Sequence, residues 1–507
     1  MNHEEAFMQA ILEHPDDDIP RLIYADWLEE HGQAERAEFI RLECELATML
    51  TPEGDAPDEG EQPRFRELEA RAGQLWNAHS REWFGALESL VEEMESARGF
   101  VDYVALSVRK FVRNAEEIFR LAPTLREVFL DKTSRRNLSA LAACPHLAKV
   151  RELVFVGTPF GPKDAQRLAE SPYLTGLRRL DLADTELAAI GAQGAQALAA
   201  SSSLTRLEQL ALGDNQIGNE GAIAILRQPR FHRLSHLDLA NNWLGDETVL
   251  ELAKADHLGR LCELNLQGND ITSEGVRALA NAAHLSGLRK LILSRNPIGD
   301  AGVRELGVSP YLRHLEKLYL IGVHLDCTGL AALVGSANLA RLTEFLLSEN
   351  DLQPEVLAAL TETSYLSELT VLTLRRCHLD SRSAEILGRI SRMPHLRNLI
   401  LHENPIGDRG LRNLLNGLLI QSLKWLDLSY TALSDRSAKV VAQAAELSNL
   451  TTLWLRGNRI TDAGARALAA SPHLNRLNSL DLRNNPIGSA GQEALHERFG
   501  AKTCAFS

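Results

Sequence analysis

The chain has 507 residues, 45% apolar, 24% charged and 5% aromatic, with a formal charge of −14. That length admits two or three ordinary domains or one long array, and the scarcity of aromatics leaves small aliphatic side chains to fill the interior. Residues 1–98 hold 25 acidic and 8 basic side chains while the remainder is close to neutral at +3, so there is no basic stripe of the kind that neutralises nucleic-acid phosphates.

The start, MNHEEAFMQA, has neither a basic n-region nor an apolar h-region, which argues against a secretory signal. Residues 3–13 predict a short amphipathic helix with Phe7, Ile11 and Met8 on one side. His14-Pro15-Asp16-Asp17-Asp18 breaks it. Residues 20–32 predict a second helix, opening on Pro20 and closing at Gly32, and 34–50 a third. Together 1–50 form a small all-α module. Residues 51–63, rich in Pro, Gly and acids, predict a linker, and 64–98 a helical connector carrying Trp76, Trp83 and Phe84.

From Leu207 onward the register L-x-x-L-x-L-x-x-N-x-I returns every 27 residues, as LEQLALGDNQI, LSHLDLANNWL, LCELNLQGNDI and LRKLILSRNPI, through to the copy at Leu477. Weaker copies start at Leu125, Val150 and Leu177, giving 14 within residues 99–507, with a frayed capping copy around Val101–Leu106. Such a period means stacked identical units. In each L-x-L the leucines point inward and the residue between them outward. The ninth position is Asn in eight copies, from Asn215 to Asn485, with Cys377 and Val323 among the exceptions. An inward Asn there can satisfy backbone groups of adjacent coils. Val323 cannot, and faster amide exchange is expected around 321–327. Asn269 is expected to support the ladder and Asn219 to be exposed and dispensable. The following I-G-D-A-G places Asp300 or Asp408 where it can cap a helix, and a Ser-Pro stop ends that helix. Strands need ~4.8 Å per neighbour and helices ~10 Å. The expected fold is therefore an α/β leucine-rich-repeat solenoid: a horseshoe with a parallel inner sheet and outer helices, preceded by the small all-α module.

The 27-residue period, the Asn/Cys/Thr position and the full outer helix make residues 100–507 resemble the ribonuclease-inhibitor-like class of leucine-rich repeats, which Ran GTPase-activating proteins share. The consensus positions are structural, so the resemblance carries no catalytic residue with it. Glu5-Ala6-Phe7, Pro15-Asp16-Asp17, Pro20-Arg21-Leu22, Tyr24-Ala25-Asp26-Trp27-Leu28-Glu29-Glu30 and Glu38-Phe39-Ile40-Arg41-Leu42 make residues 4–49 resemble the bacterial repeat-companion domain. That resemblance implies domain order and bacterial origin, and supplies no reaction.

Site chemistry is sparse. Asp16, Asp17 and Asp18 are consecutive and cannot easily converge on one cation, so they are read as charges at a helix start. On the second helix Leu22, Ile23 and Trp27 are expected to face inward, with Asp26 outside beside Arg21, Glu29 or Glu30. The hydrolase, zinc-protease and phosphate-loop signatures are absent. His146, His257, His284 and His473 precede a Leu in a slot that Tyr173 and Tyr311 also fill, which marks it as packing. Six scattered cysteines, Cys44 among them, read as reduced structural thiols, and no segment approaches the ~20 apolar residues of a membrane span. The expected location is cytoplasmic.

What remains is the concave face. Between the strand leucines stand Ile292, Tyr319, Leu346, Thr373 and Ile400, with Arg375, Arg376, His402, Glu403, Glu349, Trp425, Tyr430, Trp454 and Arg456 beside them. Tyr, Trp and Arg are common interface anchors, although strand propensity alone also favours Ile, Tyr and Trp. Tyr319, Leu346, Arg375, Arg376, Ile400, His402, Trp425 and Trp454 are the candidate partner-binding residues. The sequence therefore predicts a non-enzymatic protein-binding scaffold without cofactor or metal, its partner a protein and neither nucleic acid nor membrane. The alternative is a GTPase regulator or ligase-type adaptor, by analogy with other proteins that join a helical module to repeats, the resemblance to Ran GTPase-activating proteins extending to the repeat class only.

Overall fold

The computed structural model describes residues 3–50, 62–131, 135–183, 189–325 and 327–506, which form two compact units, Met1–Ile217 and Gly218–Ser507. Most of the expected linker, 51–61, lies outside the described residues, as does the side chain of Cys327.

In the first unit, four helices run α1 (His3–Glu13), α2 (Ile19–Glu30), α3 (Ala34–Met49) and α4 (Gln62–Glu88). Ile11, Tyr24, Ala25, Leu28, Ala37, Ile40 and Cys44 form a buried cluster with Phe100, and Phe7, Met8 and Trp27 lean on it. The inward face of α2 differs from the expected one. Arg21, Tyr24, Ala25 and Leu28 are buried, whereas Leu22 and Ile23 are 38% and 50% exposed. Arg21 can turn inward because its Nη1 donates to the Asp17 carbonyl at 2.9 Å, and the one-residue rotation of the helix follows. Asp26 does lie outside, bound with Glu29 by Arg41 at 2.6 and 2.7 Å.

The connector is not helical to residue 98. It ends at Glu88, and β1 (Glu93–Ala97) pairs antiparallel with β2 (Phe100–Ser107). Arg98 and Gly99 join them with φ of 53° and 84°, the geometry of a two-residue hairpin turn. A side chain at Gly99 would strike the Ile40 backbone at 2.8 Å. Helix α3 grips this turn: the Arg36 guanidinium donates to the Gly99 carbonyl, and Glu43 accepts from the Gly99 amide at 3.2 Å and Ser96 Oγ at 3.0 Å. Asp17 accepts from the Ile19 amide at 2.9 Å, as a helix-start acid should. Asp16 and Asp18 do something else, binding Arg126 and Arg98 at 3.0 Å each. These pairs fasten the helices to β2 and to the parallel strands that follow it, β3 (Glu127–Asp131), β4 (Glu152–Phe155), β5 (Arg179–Asp181) and β6 (Gln209–Ala211).

The second unit is regular. Eleven three- or two-residue strands, from His236–Asp238 to Cys504–Ala505, pair in parallel, each followed by a turn and, except at the end, a helix of 7–11 residues or a comparable short one. Central strand residues such as Leu264, Leu318 and Leu453 are at most 1% exposed. Each such leucine contributes roughly 1.5–3 kcal/mol of apolar burial.

Three polar ladders tie coil to coil. Asn269 Oδ1 accepts from the amides of Asn242 at 2.9 Å and Leu244 at 3.0 Å, and its Nδ2 donates to the Leu239 and Leu266 carbonyls at 3.1 and 2.9 Å. Asn350 does the same for Val323 and Leu325. The turn at Val323 is thus served by the next coil. The turn that loses its acceptor is the preceding one, where the Ile298 amide falls back on the Asn296 carbonyl at 2.8 Å. This reverses the expectation for 321–327.

The second ladder is of acids, and it corrects the expected caps. Asp408 accepts from the Ser434 amide at 2.8 Å, and Asp435 from the Thr461 and Gly464 amides at 2.7 and 3.0 Å. Each serves the start of the next coil's helix, because parallel stacking sets that helix N-terminus directly alongside. Asn219 holds the same post, accepting from the Gly245 amide at 2.8 Å and Thr248 Oγ1 at 2.7 Å, so it is not a dispensable surface residue. In the third ladder the hydroxyls of the Ser-Pro stops donate to the previous helix end, as Ser309 does to Ala280 at 2.5 Å and Ser471 to Ala442 at 2.6 Å.

Candidate functional site

The outward side chains of the second unit's strands stand in register. Tyr319 lies beside Leu346, then Thr373, Ile400, Asp427 and Trp454, one strand apart at each step. Tyr319, Leu346, Ile400 and Trp454 are half-buried, less open than expected, because in-register neighbours about 4.8 Å apart shield one another. The Tyr319 hydroxyl donates to Glu344 at 2.6 Å, and burial together with that carboxylate pushes its pKa up. Trp425 and Trp454 meet edge to face with centroids 4.8 Å apart.

Along the turn edge of this face runs a charged network. Glu403 accepts from Arg376, from Arg375 at 3.1 Å and from His402 Nε2 at 2.7 Å. Arg376 above all, with His402 and Arg375, holds its carboxyl down to about 2. His402 Nδ1 lies 3.5 Å from Asp427, itself buried. Arg295 stands 3.7 Å from Glu349. The eight candidate residues therefore fall into one face of one unit, with the Trp pair and the His402–Glu403 cluster at its later strands.

The sequence reading missed a backbone feature of this edge. The residue before each ladder position has positive φ: Arg295 at 55°, Glu349 at 61°, Arg376 at 52°, Glu403 at 56° and Tyr430 at 57°. Other copies place Gly268, Gly322 and Gly457 there. Left-handed backbone is uncommon for non-glycine residues, so this column carries long side chains at a conformational cost. The alternation of Gly with large residues at one repeat position was the available signal.

Cys44 and Cys377 are buried thiols whose pKa burial pushes up to about 12. His257 and His284 are lowered, mainly by burial, as packing residues would be. Among the described residues no group of three His, Cys, Asp or Glu is arranged to hold a metal ion. No described helix is long and apolar enough to cross a membrane.

Strand, Asn-laddered turn and helix at a constant period define leucine-rich repeats, and the chain carries them. A two-copy leucine-rich-repeat model matches residues 448–492, and a single-repeat model matches 203–226, 233–253, 261–280, 284–307 and 392–415. No curated protein matches the chain. Among solved structures the chain is similar to a Leptospira interrogans leucine-rich-repeat protein, at 18% identity over 77% of this chain and 91% of that one, with a TM-score of 0.36. A Listeria monocytogenes internalin matches at 21% identity over 62% and 94%, with a TM-score of 0.37. TLR13, solved in complex with single-stranded RNA, matches at 19% identity over 73% and 54%, with a TM-score of 0.42.

Proposed function

We propose that the protein is a non-enzymatic, cytoplasmic scaffold that binds a protein partner through the outward strand face of its second unit. The observation that carries this reading is the in-register strip of Tyr319, Leu346, Ile400 and Trp454, bordered by Trp425, Arg375, Arg376 and His402. Aromatic and arginine side chains gathered on one rigid surface are what hot spots are made of, and stacked repeats supply rigidity. The constant 27-residue spacing, with a helix in each regular coil, supports the ribonuclease-inhibitor-like class. The three packed helices α1–α3 support a repeat-companion domain over 1–50. Its role in this reading is to steady the first repeats through Asp16 and Asp18.

Capture of partner from native lysate by the full chain, compared with Tyr319→Ala, Trp454→Ala and Arg304→Ala, tests the reading. The first two are expected to weaken capture, each by about 2 kcal/mol if central, at little cost in melting temperature. Arg304, an exposed residue of the helix side whose Nη2 donates to Thr328 Oγ1 at 3.3 Å, should be neutral. Capture unchanged by both aromatic variants while folded would remove the strip as the binding face.

A further inference from the structure

One cation on this face, Arg456, makes no direct ion pair among the described residues. Arg375 and Arg376 are engaged by Glu403, and Arg483 closes on Asp481 with contacts of 3.0 and 2.6 Å. Arg456 has no carboxylate within ion-pairing distance among the described residues, and its guanidinium makes no hydrogen bond there; Nε is sealed from solvent without an acceptor. The Tyr430 ring lies 5.9 Å from the guanidinium carbon, and the Arg456 charge, after the closer Arg483, helps to lower the Asp481 carboxyl. Trp425 Nε1 and Arg375 Nε, on the same face, are further sealed donors without an acceptor. Such groups find partners in the great majority of cases.

Trp454 and Arg456 lie two residues apart on the same outward side, with buried Leu455 between them. Trp454 is the last residue of its strand and Arg456 stands in the turn that follows, so their Cα atoms are at most about 7 Å apart, and a ring edge and a planar five-donor fork can serve one short segment. Resting on the binding-face reading above, we propose that Arg456 and Trp454 form a subsite for an extended peptide segment of the partner that carries a single acidic side chain. A carboxylate of that segment takes the guanidinium fork in bidentate fashion, and an apolar side chain within two residues of it packs on Trp454 and Trp425. Charge complementarity favours this occupant. A single fork matches a single carboxylate, whereas a nucleic-acid strand would drive successive phosphates along a surface where Glu403, Asp427 and Asp481 already stand.

Selection of a displayed random-peptide library on the immobilised full chain tests the subsite. Enriched peptides should carry Asp or Glu within two residues of an aromatic or aliphatic side chain. Affinity of such a peptide should fall about tenfold or more with Arg456→Gln, fall less with Arg456→Lys, and fall likewise when its own acid is made an amide. Trp454→Ala should also weaken it, and the melting temperature of each variant verifies folding. Peptides without acids, or binding untouched by Arg456→Gln, overturn the subsite; the wider binding face then stands if Tyr319→Ala still weakens them. Absence of enrichment, or binding indifferent to every strip variant, overturns both. Displacement of the peptide by a mixed-sequence single-stranded oligonucleotide pool that depends on Arg456 would assign the fork to phosphate and overturn the peptide assignment.

Discussion

The ring of Tyr430 lies across the backbone of Gly457, its counterpart one repeat later. An added Cβ on Gly457 would sit 2.2 Å from Tyr430 Cε1, and the Tyr430 hydroxyl reaches a third coil, accepting from Asn484 Nδ2 at 2.9 Å. The glycine is a gap that lets one tyrosine span three repeats.

Gly457→Ala should therefore destabilise the second unit twice over, through that clash and through its φ of 67°. A loss of about 2 kcal/mol is expected from a strained left-handed alanine with a displaced ring. In a Tyr430→Ala background the loss should shrink to about 1 kcal/mol, the backbone part alone. Thermal denaturation of the four proteins measures it, and an identical cost in both backgrounds would show that the ring does not depend on the gap.

Asn269→Ala removes the oxygen that accepts from two backbone amides and the amide that donates to two close carbonyls at once. The expected cost is about 3 kcal/mol, near the top of the range for buried groups left unpaired. Asn219→Ala should cost about 1 kcal/mol, the usual value of a lost helix cap. Chemical denaturation distinguishes them, and equal shifts would contradict the ladder.

Amide exchange should be fast at Ile298. The Ile271 amide donates to Asn296 Oδ1 at 3.0 Å, while that of Ile298 has only the carbonyl of Asn296 within its own turn. Faster exchange at Ile298 than at Ile271 is expected, and Val323→Asn should slow it. Protection that does not respond to Val323→Asn would refute the assignment of the missing acceptor to position 323.

Glu127 gives the first unit a pH signature. Burial, then Glu152 and Asp102, push its carboxyl up to about 7, and Glu152 stands directly opposite it in the β3–β4 register. A folded value above the unfolded one means the folded state binds the proton more tightly. Stability contributed by the protonated form is then present at low pH and is lost as pH rises from about 4.5 to 7. Glu127→Gln should add about 1–2 kcal/mol at pH 8, discounted for partial solvent screening, and close to nothing at pH 4. A gain equal at both pH values would show that charge is not its origin.

Much of the architecture was legible in the residues themselves. A hydrophobic register with a 27-residue period dictates strand, turn and helix in each coil, and alternation within L-x-L decides that Tyr319 and Trp454 face outward. These are short-range constraints repeated many times, so single-residue noise averages out. Where repetition stopped, the reading slipped: α2 is rotated by one residue because Arg21 found a carbonyl inside, and Glu93–Ala97 left the connector helix to cap the sheet as a hairpin. The destinations of Asp408, Asn219 and the amide of Ile271 lie in a neighbouring coil, 25 to 29 residues away. The pairing of Arg375 and Arg376 with Glu403, and the isolation of Arg456, depend likewise on which side chains stacking brings within a few ångströms. Local sequence determines what each coil is; only the superposition of coils decides which polar groups meet, because hydrogen bonds and ion pairs act over distances that the chain spans by folding and not by adjacency.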